Sequence, residues 1–293
     1  MNILHISAHL GDGAGKAITG LSASDGINKY ACYLLDEPRK MKWVDFALEN
    51  GIEVFWNDAE KLSNMLSVFD VVVFNWWECK ITLEFLSVWE TLIAKRKIIW
   101  THQNGLFPPF PAGLIESADK FLATTPLTIK KYPNIGTLED NLVYGFGNFH
   151  IENFTPKNSY KISETLEIVY VGMSSYKRFP ANIFDFFKAI IGRIPNVKFT
   201  LFGDYSDDFR NDVLSSEIAN FFDLRGWVND VIARIKEYDI GLYIIKDEIS
   251  STTENSVIEA LSCALPIVIS KIEPYEYLLE DGISGFLAKT PDE

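Results

Sequence analysis

Short apolar runs recur along the chain, with helically patterned stretches between them. Asn2–Ser7 (NILHIS), Val71–Asn75 (VVVFN), Ile98–Trp100 (IIW) and Phe121–Thr124 (FLAT) are rich in branched or aromatic residues and bounded by polar or turn residues. That pattern predicts buried strands. Near-continuous apolar runs suit a parallel sheet covered on both faces. Between the second and third runs, Leu83–Ala94 (LEFLSVWETLIA) spaces its apolar residues helically, placing Phe85, Val88, Trp89 and Leu92 on one side. A second series follows in Ile168–Val171, Phe199–Phe202, Ile240–Ile244 and Ile267–Ile269, separated by helical segments at Ile183–Ile194, Val231–Glu237 and Glu254–Cys263. Alternation of strand and helix, twice over, predicts an α/β chain of two doubly wound, Rossmann-like domains. The stretch Gly145–Thr165 is rich in Gly, Asn, Pro and Ser and has no period, so it is the expected linker, dividing the chain into residues 1–147 and 148–293.

Composition narrows the picture. A chain of 293 residues with 47% hydrophobic and 23% charged residues has the material for two globular cores. The net charge of −13 repels a phosphate backbone and argues against nucleic acid as a partner. Cys32, Cys79 and Cys263 lie far apart, without metal or disulfide spacing, as expected of reduced thiols in a cytoplasmic protein. The opening MNILHIS lacks a basic segment before a long apolar run, so no signal peptide is expected, and no stretch approaches the roughly 18 apolar residues of a spanning helix.

Three segments carry candidate chemistry. After the first strand, His9–Lys16 (HLGDGAGK) is a glycine loop leading to a helix, where free N–H groups suit phosphate or sugar oxygens. It fits neither the P-loop nor the G-x-G-x-x-G spacing, and a simple tight turn is an equal alternative. After the first strand of the second series, Val171–Arg178 (VGMSSYKR) ends in two cations, suited to a pyrophosphate or simply solvated on the surface. The third segment, Thr252–Val268, is the strongest. Thr252 or Thr253 is placed to cap a helix, and Asn255 and Glu259 share a face at i and i+4. A carboxylate at Glu259 suits ribose hydroxyls, because it accepts two hydrogen bonds, although alone it is equally an exposed helix charge.

The run EALSCALPIVIS followed by Glu280–Leu287 (EDGISGFL) resembles the group 1 retaining glycosyltransferases of GT-B fold, whose wording is close to E-A-x-A-x-G-x-P-V-V and then D-G-x-x-G-x-L. VGMSSYKR, FTLFGD (Phe199–Asp204), LRGWV (Leu224–Val228) and DVVVFNWW (Asp70–Trp77) resemble the family's other blocks in the expected order. The resemblance covers nearly the whole chain and is specific in the second half. It implies two Rossmann-like domains facing a central cleft. It assigns Glu259 to the nucleotide ribose, Arg178 to the diphosphate, and Gly226, Trp227 and Val228 to the loop that reads the base. It assigns Gly13 and Gly15 to the loop facing donor phosphate and acceptor, and His102 to the transferred sugar, making it the candidate catalytic residue. With Lys177, Thr253, Asn255 and Ser256 these form the expected donor site.

The chain also departs from the family. Ser251 stands where the first of two paired glutamates belongs, with Glu248 and Glu254 out of register; Met173 replaces an arginine that Lys177 could stand in for; and Asn75-Trp76-Trp77 replaces a His-x-His strand end. The final helices of the family are expected to be missing after Glu293. Asp207-Asp208 is a loop pair rather than an Asp-x-Asp metal motif, so no metal or other cofactor is expected. His5, inside a strand, is expected in the core, and His9 is a candidate for acceptor contact. Trp76, Trp77 and Trp100 either stack on sugars or pack internally, and the Phe107–Pro111 loop (FPPFP) is expected to pack.

The resulting expectation is a metal-independent transferase working with retention. It would move a sugar from a nucleotide-diphosphate donor to a glycan or lipid-linked acceptor, in the cytoplasm or at the inner face of the membrane with peripheral association. The alternative is a non-catalytic, sugar-nucleotide-binding or scaffold subunit. Another GT-B enzyme, an epimerase or phosphorylase, is the weakest.

Overall fold

The computed structural model describes residues 1–38, 40–143, 154–161, 163–247 and 254–293. They form two compact units, one within residues 1–143 and the other within 154–293. The expected boundary at 147/148 lies outside the described residues.

The first unit holds strands β1 (Asn2–Ser7), β2 (Lys29–Leu34), β3 (Glu53–Trp56), β4 (Val71–Trp76), β5 (Lys97–Thr101) and β6 (Lys120–Leu122) in the order β3-β2-β1-β4-β5-β6, all parallel. Alternation of side chains across the sheet divides its apolar residues into two cores. Leu4, Ile6, Val72, Phe74 and Ile99 pack on one face, and Cys32, Leu34, Val71, Val73 and Trp100 on the other. Helices α1 (Asp12–Ser24), α2 (Lys42–Glu49), α3 (Ala59–Val68), α4 (Lys80–Thr91), α5 (Pro126–Lys131) and α6 (Leu138–Asn141) connect or follow the strands.

The periodicity of α4 places Phe85, Val88, Trp89 and Leu92 on one side. Thr82 and Trp89 are buried, Phe85 and Leu86 pack partly against the core, Val88 is exposed, and Leu92 lies just past the helix end. The buried stripe runs 82, 85/86, 89, and Val88 falls a full 100° step away from Trp89.

The second unit repeats the same topology. β7 (Leu166–Val171), β8 (Val197–Phe202), β9 (Phe222–Gly226), β10 (Ile240–Tyr243), β11 (Ile267–Ser270) and β12 (Phe286–Ala288) stand in the order β12-β11-β10-β7-β8-β9, again parallel. Helices α7 (Ile183–Arg193), α8 (Asp207–Ser215), α9 (Val231–Ile235), α10 (Asn255–Ser262) and α11 (Glu273–Glu276) accompany them around one continuous core.

The described part of the expected linker is bonded to this unit. The Lys157 amide donates to the Cys263 carbonyl at 2.9 Å, its buried ammonium donates to the Tyr238 carbonyl at 2.6 Å, and the Tyr160 hydroxyl donates to the Ala264 carbonyl at 3.0 Å. A polar, glycine-rich composition signals absence of periodicity, and a segment can lack periodicity while still being fixed by individual hydrogen bonds.

Candidate functional site

In each sheet the chain starts in the middle, runs to one edge, and returns to add strands on the other side. The reversal falls between β1 and β4 in the first unit and between β7 and β10 in the second. Open α/β sheets seat ligands beyond the carboxyl ends of the strands at such a reversal.

In the first unit, β1 leads through Ala8–Gly11 into α1. The helix begins at Asp12, so Gly13 and Gly15 stand in its first turn rather than in a loop, and the Gly15 amide donates to the Gly11 carbonyl at 2.8 Å. A Cβ on Gly15 would lie 2.7–2.8 Å from the carbonyl group of Leu10, so glycine lets the helix start directly against the strand end. First-turn amides have no carbonyl within the helix to bond, and a helix start of this kind suits an anionic or hydroxyl oxygen. His9 is exposed, and its Nδ1 accepts from the Gly11 amide at 2.9 Å.

A buried polar network lies beneath this rim. Asn75, near the end of β4, places its amide nitrogen 3.1 Å from His5 Nδ1 and 3.2 Å from the carbonyls of Ile6 and Val73, while its carbonyl oxygen is 3.2 Å from His102 Nε2. Burial pushes the imidazole of His5 down to about 4, with Asn75 opposing, and that of His102 down to about 3, with His5 adding to the effect. His102 is 8% exposed and tilts against Trp100 at 4.7 Å. His5 is a core residue, as expected, and its Nε2 is buried without a hydrogen-bond partner. Trp76 and Trp100 pack internally, whereas Trp77 is exposed. In the Phe107–Pro111 loop, Phe110 packs against Phe121 and Tyr132, and Phe107 is exposed.

In the second unit, three loops knit the carboxyl ends of β7, β8 and β9 together. Gly172 N–H bonds Phe202 O, Ser174 N–H bonds Asp204 O, and Gly203 N–H bonds Gly226 O, all at 2.8–2.9 Å. The β7 loop turns back at Arg178, whose carbonyl accepts from the Lys246 amide at 2.8 Å beyond β10. The guanidinium of Arg178 forms an ion pair with Glu254, the residue immediately before α10, the two side chains being 24% and 17% exposed. Burial opposes the charge on Arg178, but Glu254 beside it, then Tyr170, keep it more firmly protonated than an ordinary arginine. The hydroxyls of Tyr170, Tyr243 and Tyr275 are buried nearby; burial pushes Tyr170 up to about 12 and raises the other two as well. Tyr170 donates to the Met173 carbonyl at 3.2 Å and Tyr243 to that of Ser256 at 3.3 Å. The Tyr275 hydroxyl and the Arg178 Nε are buried with no hydrogen-bond partner among the described residues.

Arg178, Asn255, Ser256 and Glu259 therefore belong to one end of the second sheet. Glu259 is only 5% exposed, which excludes the exposed helix charge. Lys177 is exposed and acts electrostatically on Asp208 of α8. Asp207 and Asp208 are not a loop pair but the first turn of α8, where acidic side chains complement the helix dipole. Gly226 ends β9 rather than lying in a loop; Trp227 beyond it is exposed and Val228 packs partly on the core. Thr253, with Glu248, Ser251 and Thr252, lies outside the described residues. Sequence reasoning set Glu254 aside as out of register and did not single out the three tyrosines or Lys246, whose ammonium donates to the Tyr176 carbonyl at 3.3 Å. The only signal was the presence of Tyr170 and Tyr243 within otherwise aliphatic strands; Tyr275, in α11, and Lys246, beyond β10, carried none.

Residues 165–293 match the family model described as Glycosyl transferases group 1. No curated protein sequence matches the chain. Among solved structures, the Anabaena protein Alr3699/HepE in complex with UDP superposes with a TM-score of 0.76 at 14% identity, covering 100% of this chain and 87% of that one. A glycosyltransferase from Rickettsia africae ESF-5 gives 0.72 at 13% identity over 99% and 85% of the two chains. The lipopolysaccharide outer core galactosyltransferase WaaB, in its apo form, gives 0.66 at 16% identity over 98% and 86%. At such identities the likeness shows the fold, which is GT-B with two Rossmann-like units.

Proposed function

We propose, from a chain whose residues 165–293 form a glycosyl transferases group 1 domain on a GT-B fold, that this protein transfers a sugar from a nucleoside-diphosphate donor to a glycan or lipid-linked acceptor. The observation that carries this reading is the meeting of Arg178 with the start of α10 at the strand-order reversal of the second sheet, with Glu259 buried on the same helix. A cation beside the N-terminus of a helix suits a diphosphate leaving group, whose charge grows as the glycosidic bond breaks. The carboxylate of Glu259 suits a ribose, and the exposed Trp227 after β9 suits a base. His102, neutral throughout the physiological range, is proposed to accept a hydrogen bond from a hydroxyl of the transferred sugar rather than to give a proton. Retention of configuration and independence of metal are supported by the family resemblance.

The complex of the Anabaena protein with UDP makes UDP the first nucleotide to test. In thermal-shift and calorimetric titrations against UDP, GDP, ADP and CMP, one nucleotide is expected to stabilise the wild type and to lose that effect in Glu259→Ala, because a ligand of the folded state raises its stability by mass action. No response to any of them would sink the donor-site reading.

A second reading, a non-catalytic nucleotide-binding subunit, is favoured by two observations. Arg178 already has a carboxylate partner, and exposed Met173 stands where the resemblance places an arginine. Binding without consumption of donor would select it.

A further inference from the structure

We infer that Glu254 is a resident counter-ion of the donor site, occupying Arg178 in the absence of ligand and competing with the donor's phosphate groups for it. The inference rests on the donor-site reading above and concerns how strongly and how selectively that site holds an anion.

Glu254 stands at the N-cap position of α10, where a side-chain oxygen commonly caps the first-turn amides. Its side chain makes no cap hydrogen bond and instead pairs with the Arg178 guanidinium. The Val257 amide donates to the Glu254 carbonyl at 3.0 Å, while the amides of Asn255 and Ser256 receive no cap from the Glu254 side chain, at the end of the helix that favours an anion. Arg178 is fixed from both sides by its backbone, its amide donating to the Ser175 carbonyl at 2.9 Å and its carbonyl accepting from Lys246. The root of the side chain is therefore held at this corner, within reach of either anion.

Two further polar groups there, the Arg178 Nε and the hydroxyl of Tyr275, which is 1% exposed, have no hydrogen-bond partner among the described residues. Neither is satisfied by the pairing with Glu254, and buried donors without acceptors are uncommon in folded proteins. The corner thus holds more hydrogen-bond donors than Glu254 serves. A diphosphate, with several oxygens and more than one negative charge, is an anion of the chemistry those donors lack. Glu254 and a phosphate cannot share one guanidinium without like-charge repulsion at close range. Removing the carboxylate leaves a largely buried, unpaired cation, whose cost is relieved when an external anion binds.

The test is calorimetric titration of the full chain with inorganic pyrophosphate, which isolates the phosphate contribution from the unknown base, and with UDP, GDP and ADP. Glu254→Gln keeps the shape and removes the charge; Glu254→Ala serves if the glutamine variant folds poorly, with melting temperatures confirming the fold. Pyrophosphate is expected to bind the Glu254 variants about tenfold more tightly than the wild type. The gain should vanish when Arg178→Ala is added. Equal or weaker pyrophosphate binding by folded Glu254 variants would overturn the counter-ion role, and a nucleotide response in the wild type would then leave the donor-site reading standing. Absence of pyrophosphate and nucleotide binding in every folded variant would overturn both.

Discussion

A carbonyl oxygen carries lone pairs and no proton, so the Ile6 and Val73 carbonyls beside Asn75 fix which end of its amide is NH2. With the NH2 on that side, His5 Nδ1 must accept, and the Asn75 oxygen must accept a hydrogen bond from His102 Nε2–H. His102 is thereby the Nε2–H tautomer, and its Nδ1 lone pair is the group left for a ligand. Nitrogen-15 spectra of the imidazoles are expected to show that tautomer at pH 7 and no protonation of His102 down to pH 5; the opposite tautomer would refute the assignment. The same burial makes a stability prediction. Both histidines have folded-state values, about 4 and about 3, below their unfolded value near 6.5. Above that unfolded value neither state is charged and the histidines are neutral to stability. As pH falls below it the unfolded chain takes up protons that the folded chain refuses, so stability is lost down to the folded values and then levels. At pH 5 each histidine costs about 2 kcal/mol relative to pH 7. Urea unfolding of the wild type and His102→Gln at the two pH values should show a pH loss smaller by about that amount in the variant. None of this was legible from the sequence, where Asn75 registers only as a departure from a His-x-His strand end. Its partners come from β1 and from the residue just after β5, brought alongside by the sheet.

Elements were legible where one run carried its own signal. Asn2–Ser7 is a strand over its full predicted extent, and the strand cores of β4, β5, β7, β8, β10 and β11 lie where continuous apolar runs placed them. β2 (KYACYL) and β3 (EVFW) are not legible: β2 opens on a charged residue and mixes tyrosines with small residues, β3 is only four residues long, and their burial comes from parallel neighbours. The same holds for β9, whose half-buried FDLRG looks like a loop and becomes a strand by pairing with β8. Glycines misled in the other direction: the first turn of α1 contains two of them and is helical, because Gly15 is required by the closeness of Leu10 rather than by a turn. A comparable constraint operates at Gly203, the residue after β8. Its φ of +109° is a region L side chains rarely adopt, and a Cβ there would come within 2.4 Å of the Gly172 carbonyl oxygen. The junction between the β7 and β8 loops therefore cannot accept a methyl group without moving backbone. Gly203→Ala is expected to destabilise the protein by about 2–4 kcal/mol in urea unfolding. A change within about 0.5 kcal/mol would show that the junction yields easily.

For the molecule as a whole, the repetition of one topology in two units was legible as two series of alternating elements, because each doubly wound sheet advertises itself through buried parallel strands. The segment proposed as the donor site was legible as a unit for a related reason: α10 and β11 follow each other directly, so they are written in one contiguous run from Asn255 to Ser270. The pairing of Arg178 with Glu254 was not, since it joins loops that follow β7 and β10, strands made neighbours only by the reversal of strand order. That same reversal predicts where a nucleotide acts on the intact chain. Amides exchange by local opening, and a ligand suppresses the openings that break its own contacts. Hydrogen exchange with and without the nucleotide that stabilises the wild type should slow most strongly in Gly172–Arg178, Gly226–Val228 and Asn255–Glu259, the three segments beyond β7, β9 and β10. Strands β2 and β3, with α2 and α3 beside them, lie away from the reversal point of their own sheet and should change little. Protection spread evenly over the chain would indicate general stabilisation without a site at that corner, and protection concentrated around Gly13 and His102 would move the principal nucleotide contacts to the first unit. A response confined to those three segments of the second unit would tie nucleotide affinity to the cation, helix start and buried carboxylate that strand order brings together there.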